Sequence, residues 1–153
     1  MTLQPGDIAP NFALKDQNGK IRKSSDLRNK ILILFFYPKD NTPGCTIEAC
    51  GFKKEIKAFK DLGAEIWGVS GDNEESHRQF ASKNNISYPL LSDNKNILRQ
   101  KFFVPKVFGL IPGRVTFIID KNKIIRHVFS DLLNASAHIK EALKIVKEIN
   151  IER

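Results

Sequence analysis

Apolar residues run without a break from Ile31 to Tyr37, while on either side of that run they alternate or recur at helical spacing. A stretch that is apolar and β-prone on both faces predicts a strand buried in the middle of a sheet. Upstream, Ile8 to Leu14 alternate in part and lead to a turn at Asn18-Gly19. Lys20 to Lys23 then reads as the return strand of a short edge hairpin, and Ser24 to Asn29 offers capping residues for a brief helical turn. Pro38 to Gly44 reads as a loop. From about Cys45, the residues Ile47, Phe52, Ile56, Phe59 and Leu62 fall at helical spacing as far as Gly63, a natural helix stop. The pattern continues with a strand over Glu65 to Ser70, an amphipathic helix over Glu74 to Asn84, and a strand over Tyr88 to Leu91 with Pro89 at its start. It predicts a further helix over Asn94 to Phe102 and a hairpin of Val115 to Asp120 with Ile124 to Phe129. A closing helix, Ala135 to Ile149, carries Ile139, Ala142, Leu143, Val146 and Ile149 on one face. The order βαβαβαββα behind an edge hairpin, without repeat or linker, predicts one α/β domain over residues 1–153, a mixed central sheet flanked by helices.

With 153 residues and 41% hydrophobic content, the chain is long enough for one ordinary core. Its longest apolar runs are far shorter than the ~20 residues that span a bilayer, so no membrane association is expected. The first ten residues do not read as an export signal, which implies a cytoplasmic protein, or a plastid one if a transit peptide has been removed. Net charge is +8, but Lys20, Arg22, Lys39, Lys53, Arg78, Lys95, Lys121 and Arg126 are scattered among acids. They form no basic arm, and no nucleic acid partner is expected.

Two closely spaced cysteines change the picture more than charge does. They are too few for a disulfide scaffold, and a reducing compartment favours a redox or catalytic use. Cys45 falls where a loop leaving the buried strand becomes a helix, and there free N–H groups and the positive end of the helix dipole favour a nucleophilic thiolate. Cys50 lies five positions on. In an intact helix its Cα is about 8.7 Å from that of Cys45 and the side chains diverge by roughly 140°. A disulfide needs a Cα separation below ~7 Å and converging Cβ vectors. Either the two never bond and Cys50 is a small buried hydrophobe, or the helix opens after Cys45 is oxidised. Thr42 is placed to hydrogen-bond the sulfur or an oxygen of a bound substrate, and Pro38 to shield the sulfur from water.

The segment Pro38-x-x-x-Thr42-x-x-Cys45 is similar to the active-site signature of peroxiredoxins. Its extension through Cys50-Gly-Phe52 resembles the bacterioferritin comigratory protein or peroxiredoxin Q branch. Gly68-Val-Ser-Gly-Asp72, Ser76-His77 with Phe80, Tyr88-Pro-Leu-Leu-Ser-Asp93 and Arg114-Val-Thr-Phe-Ile-Ile-Asp120 resemble the later blocks in the same order. The resemblance covers about Pro5 to Val146. It implies a thioredoxin-like fold with an N-terminal β-hairpin extension, Cys45 as peroxidatic and Cys50 as resolving cysteine, Thr42 and Arg114 as peroxide-binding groups, and Glu48 as the residue that orients the arginine. Two departures stand out. The turn Lys121-Asn122-Lys123 occupies a place where many relatives carry glycine, and the Ile111-Pro-Gly113 approach to Arg114 resembles the plant and cyanobacterial type.

The expected reaction is thiol-dependent reduction of hydrogen peroxide and organic hydroperoxides through a sulfenic acid and a Cys45–Cys50 disulfide, recycled by thioredoxin or a similar thiol reductant. No metal or organic cofactor is expected. His77, His127 and His138 lack paired spacing, and His77 and His138 read as surface groups of their helices. Substrate choice is expected to depend on the width around Phe36, Pro43 and the segment Phe102 to Pro112. No coiled-coil pattern appears, so a monomer is expected. The alternative is a thioredoxin-like protein disulfide oxidoreductase, against which the four-residue gap between the cysteines counts. A non-enzymatic module using the basic surface is a more distant reading.

Overall fold

Strand β3 (Ile31–Phe36) is buried along its whole length and sends alternate side chains into two separate cores. Ile31, Ile33 and Phe35 pack in one, with Ala49, Phe52, Phe59, Phe80, Ile139 and Val146. Leu32, Leu34 and Phe36 pack in the other, with Trp67, Leu98, Phe102 and Phe117. Burial on both faces is why this run shows no polar alternation. The computed structural model describes residues 2–107 and 111–152.

Around β3 the chain builds a five-stranded sheet. Its other strands are β4 (Ala64–Ser70), β5 (Leu90–Ser92), β8 (Val115–Ile119) and β9 (Ile125–Ser130), in the order β5-β4-β3-β8-β9. The β3–β4 and β4–β5 pairs are parallel, β3–β8 and β8–β9 antiparallel. Helices α1 (Pro43–Lys54), α2 (Ile56–Asp61), α3 (Glu74–Asn84) and α5 (Ala135–Ile151) contribute to the first core, and α4 (Ile97–Lys101) to the second. Strands β1 (Ala13–Lys15) and β2 (Ile21–Lys23) form the edge hairpin. This is a mixed α/β, thioredoxin-like arrangement with the N-terminal extension.

Differences from the sequence pattern have local causes. The helix expected from Cys45 to Gly63 breaks at Glu55 (φ −99°, ψ 8°) into α1 and α2. The strand expected at Tyr88 begins at Leu90, because Pro89 has no N–H to pair. The Gln17 amide bridges that gap, donating to the Tyr88 carbonyl at 2.9 Å and accepting from Leu90 N at 2.8 Å. A short pair, β6 (Lys106–Val107) with β7 (Ile111–Pro112), has no periodic signal long enough to read. At the β8–β9 turn, Lys123 adopts φ 65°, a left-handed conformation that suits glycine. Its ammonium donates to the Ser24 and Leu27 carbonyls, each at 2.9 Å, giving the side chain a use that glycine lacks.

Candidate active site

The end of β3 and the start of β8 are paired, Phe36 opposite Val115. Tyr37 to Asp40 and Arg114 therefore emerge at the same edge of the sheet, and α1 starts there. Its first helical residue is Pro43, behind an extended N-cap at Thr42 (φ −89°, ψ 150°). The start lies two residues before the point the apolar spacing marks, because proline's fixed φ suits the first helical position without adding to the periodicity. Cys45 thus stands in the first turn, where N–H groups lack intrahelical acceptors and the positive end of the dipole lies.

Cys45 is 1% exposed, and Arg114 Nη2 donates to its Sγ at 3.4 Å. The guanidinium is held by two further bonds, Nη1 to Glu48 Oε1 at 2.7 Å and Nε to the Leu132 carbonyl at 3.1 Å. Glu48 follows Cys45 by three positions on α1, so both face the arginine. Gly44 makes the approach possible: a Cβ there would lie 2.8 Å from Arg114 Nη2. The Thr42 hydroxyl donates to the Lys39 carbonyl at 2.9 Å, so its hydrogen points into the loop and its oxygen is left as an acceptor. Pro38 is half-buried at the same edge.

Cys50 faces elsewhere. Its thiol lies 3.8 Å from Asn84 Oδ1, at the end of α3, and both cysteines are free. The intervening helix is tied down by the Tyr88 hydroxyl, which donates to the Ala49 carbonyl at 2.8 Å, and by Lys53 Nζ on the Asn84 carbonyl at 2.8 Å. A bond between the two sulfurs requires this part of α1 to open.

Three residues matter here that the sequence pattern did not single out. Arg99 spans the site from behind, donating to the Gly113 carbonyl at 2.7 Å and to the Tyr37 carbonyl at 2.8 Å, so it ties the two strand ends together. Burial lowers its pKa to about 10, opposed by Asp93 and Cys45, and it stays charged at neutral pH. The other two are histidines expected on helix surfaces, and that expectation is corrected: His77 and His138 are both fully buried. Each sits on its helix's buried stripe, His77 with Phe80 and Ala81, His138 with Ala135, Ile139 and Ala142. His77 Nε2 faces the Leu91 carbonyl at 3.0 Å and Nδ1 faces Asp40 Oδ2 at 2.7 Å. Tyr37 and Ser76 also donate to Asp40, at 2.6 Å and 2.9 Å, which anchors the loop carrying Pro38 and Thr42. His138 Nε2 lies 2.8 Å from the Asp131 carbonyl, and Nδ1 lies 2.7 Å from Thr116 Oγ1 and 3.4 Å from Glu48 Oε2.

Burial pushes the Glu48 carboxyl up to about 8 in spite of Arg114, whose charge and hydrogen bond lower it. Burial likewise pushes His138 down to about 4; the Asp131 carbonyl opposes the shift and Arg114 adds to it. For Arg114, burial on its own is a lowering influence. The negative charge of Glu48, then of Cys45, outweighs it and raises the guanidinium above its usual value.

A buried sulfur at a helix start, with a cation in hydrogen-bonding reach and an acceptor hydroxyl in the preceding loop, suits a sulfur anion and a leaving oxygen that gains negative charge. Phe36 and Phe102, around which the width was expected to govern substrate choice, are fully buried with ring centroids 5.4 Å apart. Residues 108–110 of the segment invoked for substrate choice lie outside the described residues. A cavity between the edge hairpin and α4 is lined by Phe12, Leu14, Ile21 and Ile97 among others and touches none of the sulfur's partners.

Residues 5–128 match the AhpC/TSA family. The chain is 45% identical over 146 residues to the chloroplastic peroxiredoxin Q of Arabidopsis thaliana, covering 95% of this chain and 68% of that protein. It is 41% identical over 148 residues to the chloroplastic peroxiredoxin Q of Triticum aestivum, covering 96% and 68%. Among solved structures, the peroxidoxin BcpB of Mycobacterium tuberculosis superposes with a TM-score of 0.89 at 35% identity, covering 96% of this chain and 98% of that one.

Proposed function

The chain belongs to the AhpC/TSA family and is a thiol-dependent peroxidase of the peroxiredoxin Q type, and from that premise we propose that Cys45 attacks the peroxide and Cys50 resolves the product. The observation that carries this reading is the Arg114 guanidinium on Cys45 Sγ. The Cys45 thiolate forms an S–O bond to one peroxide oxygen as the O–O bond breaks. Two electrons pass from sulfur to oxygen, and the departing oxygen takes a proton and leaves as water or an alcohol. Arg114 stabilises the negative charge that moves from sulfur to oxygen, Thr42 accepts a hydrogen bond from the peroxide O–H, and Glu48 holds Arg114. Pro38 shields the sulfur. The first turns of α1 then unwind, the Cys50 thiol displaces hydroxide from the sulfenic acid, and water leaves as the disulfide forms.

A dithiol reductant closes the cycle by exchange, and we assign thioredoxin or a protein like it. The working unit is taken as one domain and a monomer, in the cytoplasm or, as the names of the plant relatives indicate, in a plastid. Among the described residues, no helix is long and apolar enough to cross a membrane. Disulfide exchange with other proteins is the weaker reading. It requires an attacking sulfur that a second protein can reach, and Cys45 is 1% exposed.

Peroxide-driven NADPH oxidation in the presence of thioredoxin and thioredoxin reductase tests the cycle. Wild type is expected to turn over continuously, while Cys50→Ser consumes about one equivalent of peroxide and stalls. Sustained turnover of Cys50→Ser at the wild-type rate would remove Cys50 from the mechanism.

A further inference from the structure

Opening of α1 meets a definite obstacle. For Cys45 and Cys50 to meet, the residues between them must leave helical geometry, and Ala49 is the last of these. Its carbonyl accepts a hydrogen bond from the Tyr88 hydroxyl at 2.8 Å. Among the described residues, Tyr88 supplies the one side chain from outside α1 that hydrogen-bonds the backbone between the cysteines. It is 4% exposed, and its ring meets Phe35 of β3 edge-on with centroids 5.9 Å apart. Its backbone is fixed to the rest of the fold. The Tyr88 carbonyl accepts from Gln17 Nε2 at 2.9 Å, and the next carbonyl, that of Pro89, accepts from Gly68 N on β4 at 3.0 Å. The phenol is therefore carried by the sheet and not by the segment that has to move. Burial raises its pKa well above the usual tyrosine value, so the hydroxyl keeps the hydrogen it donates. The other tie on this stretch, Lys53 Nζ on the Asn84 carbonyl at 2.8 Å, lies beyond Cys50 and survives an opening confined to the span between the cysteines.

We propose that Tyr88 is a positioning residue for the second step of the reaction: its hydroxyl latches the Ala49 carbonyl, holds α1 closed around the Cys45 sulfenic acid, and so sets how that acid divides between the Cys50 disulfide and further oxidation. This role rests on the assignment of Cys45 and Cys50 above. Two reactions compete for the sulfenic acid. In one, α1 opens, the Cys50 sulfur forms the S–S bond, and the sulfenic oxygen leaves as water with the thiol proton. In the other, a second hydrogen peroxide transfers one oxygen to the Cys45 sulfur as its O–O bond breaks. The sulfur loses two more electrons, and a sulfinic acid and water result. The first path is independent of peroxide concentration and requires release of the latch. The second rises with peroxide and takes place in the closed helix. A hydrogen bond present in the closed form and lost on opening slows the opening by its own net worth.

Tyr88→Phe tests this, because it removes one oxygen and keeps the ring against Phe35. Quenched-flow alkylation after a pulse of hydrogen peroxide is expected to show the Cys45–Cys50 disulfide forming about two- to tenfold faster than in wild type. Without reductant, the peroxide concentration that drives half of Cys45 to the sulfinic acid is expected to rise by the same factor. The rate constant of the first oxidation is expected to stay unchanged, since the Tyr88 hydroxyl bonds none of Cys45, Arg114 and Thr42. A tyrosine that served only the core would lower the melting temperature and leave this partition where it is. A disulfide that forms no faster in Tyr88→Phe, with an equal yield of sulfinic acid, overturns the latch. A second measurement uses wild type alone and does not depend on the variant folding. With ring-labelled [ζ-¹³C]tyrosine, the Tyr88 line is expected to shift between the reduced and disulfide forms as the phenol exchanges the Ala49 carbonyl for another partner. A line that stays in place overturns the latch as well. Absence of the Cys45–Cys50 disulfide in both proteins rejects the assignment beneath the proposal, whereas a disulfide that forms at the same rate in both rejects the latch alone.

Discussion

Cys45→Ser is expected to leave the protein folded and without peroxidase activity, with turnover reduced by at least about 10⁴-fold. Serine is nearly isosteric with cysteine, and the Cys45 side chain enters the first core from the first turn of α1, so the fold keeps its contacts. A hydroxyl at this position is neither ionised by one neighbouring guanidinium nor soft enough to attack a peroxide oxygen. The helix dipole and Arg114 assist an existing sulfur anion; they do not replace it. Loss of peroxide in a direct colorimetric assay checks this. An unchanged melting temperature alongside the dead phenotype separates a chemical loss from a structural one. Residual turnover near the wild-type rate would mean that the nucleophile lies elsewhere.

Arg114→Met removes the other half of the charge arrangement. The guanidinium serves three acceptors at once, Cys45 Sγ, Glu48 Oε1 and the Leu132 carbonyl, and methionine fills some of its volume while serving none. The rate constant for Cys45 oxidation is expected to fall by about 10²–10³-fold, as when one preorganised donor to a developing oxyanion is lost. The Glu48 carboxyl, already raised to about 8 by burial, then keeps its proton at neutral pH and is not left as a bare charge. Stability is accordingly expected to fall by only about 1–3 kcal/mol, the cost of stranding a buried polar group, as measured by urea unfolding. Arg114→Lys is expected to recover little of the rate. A single ammonium on a flexible stem cannot reach the glutamate, the carbonyl and the sulfur in one geometry. Full activity in Arg114→Lys would show that charge alone, without the fork of donors, is sufficient.

Most of the scaffold was legible in the sequence because two periodicities dominate it. The unbroken run Ile31 to Tyr37 could satisfy its hydrophobicity only in a strand covered on both faces, and the stripe from Ile139 to Ile149 only on a helix packed against that sheet. What escaped is what periodicity does not encode. The start of α1 at Pro43 depends on φ and capping, not on hydrophobicity. The role of Gly44 depends on a guanidinium that arrives from a segment 70 positions later. Arg114 itself has no local signal. It reaches Cys45 because β8 runs antiparallel to β3 and starts opposite the end of that strand, beside the loop that leaves it.

The two buried histidines were misread for a different reason. Both occupy the apolar stripe of their helices at spacings of three and four from buried neighbours, and that signal was present in the sequence. A polar residue on a buried stripe indicates a partner inside the fold. Here the partners are Asp40 for His77 and the Glu48–Thr116 pair for His138, and neither lies near its histidine in the chain.

The most direct measurement uses the chain's own cleavage sites. Trypsin cutting after Lys39 and Lys53 releases one peptide, Asp40 to Lys53, which carries both cysteines. After one equivalent of hydrogen peroxide and rapid alkylation, that peptide from wild type is expected to lack any alkyl group and to have lost two hydrogens, the mark of an internal Cys45–Cys50 disulfide. In Cys50→Ser the same treatment is expected to leave a trappable sulfenic acid on Cys45. A wild-type peptide that is oxidised at Cys45 while Cys50 remains alkylated would contradict the two-cysteine mechanism.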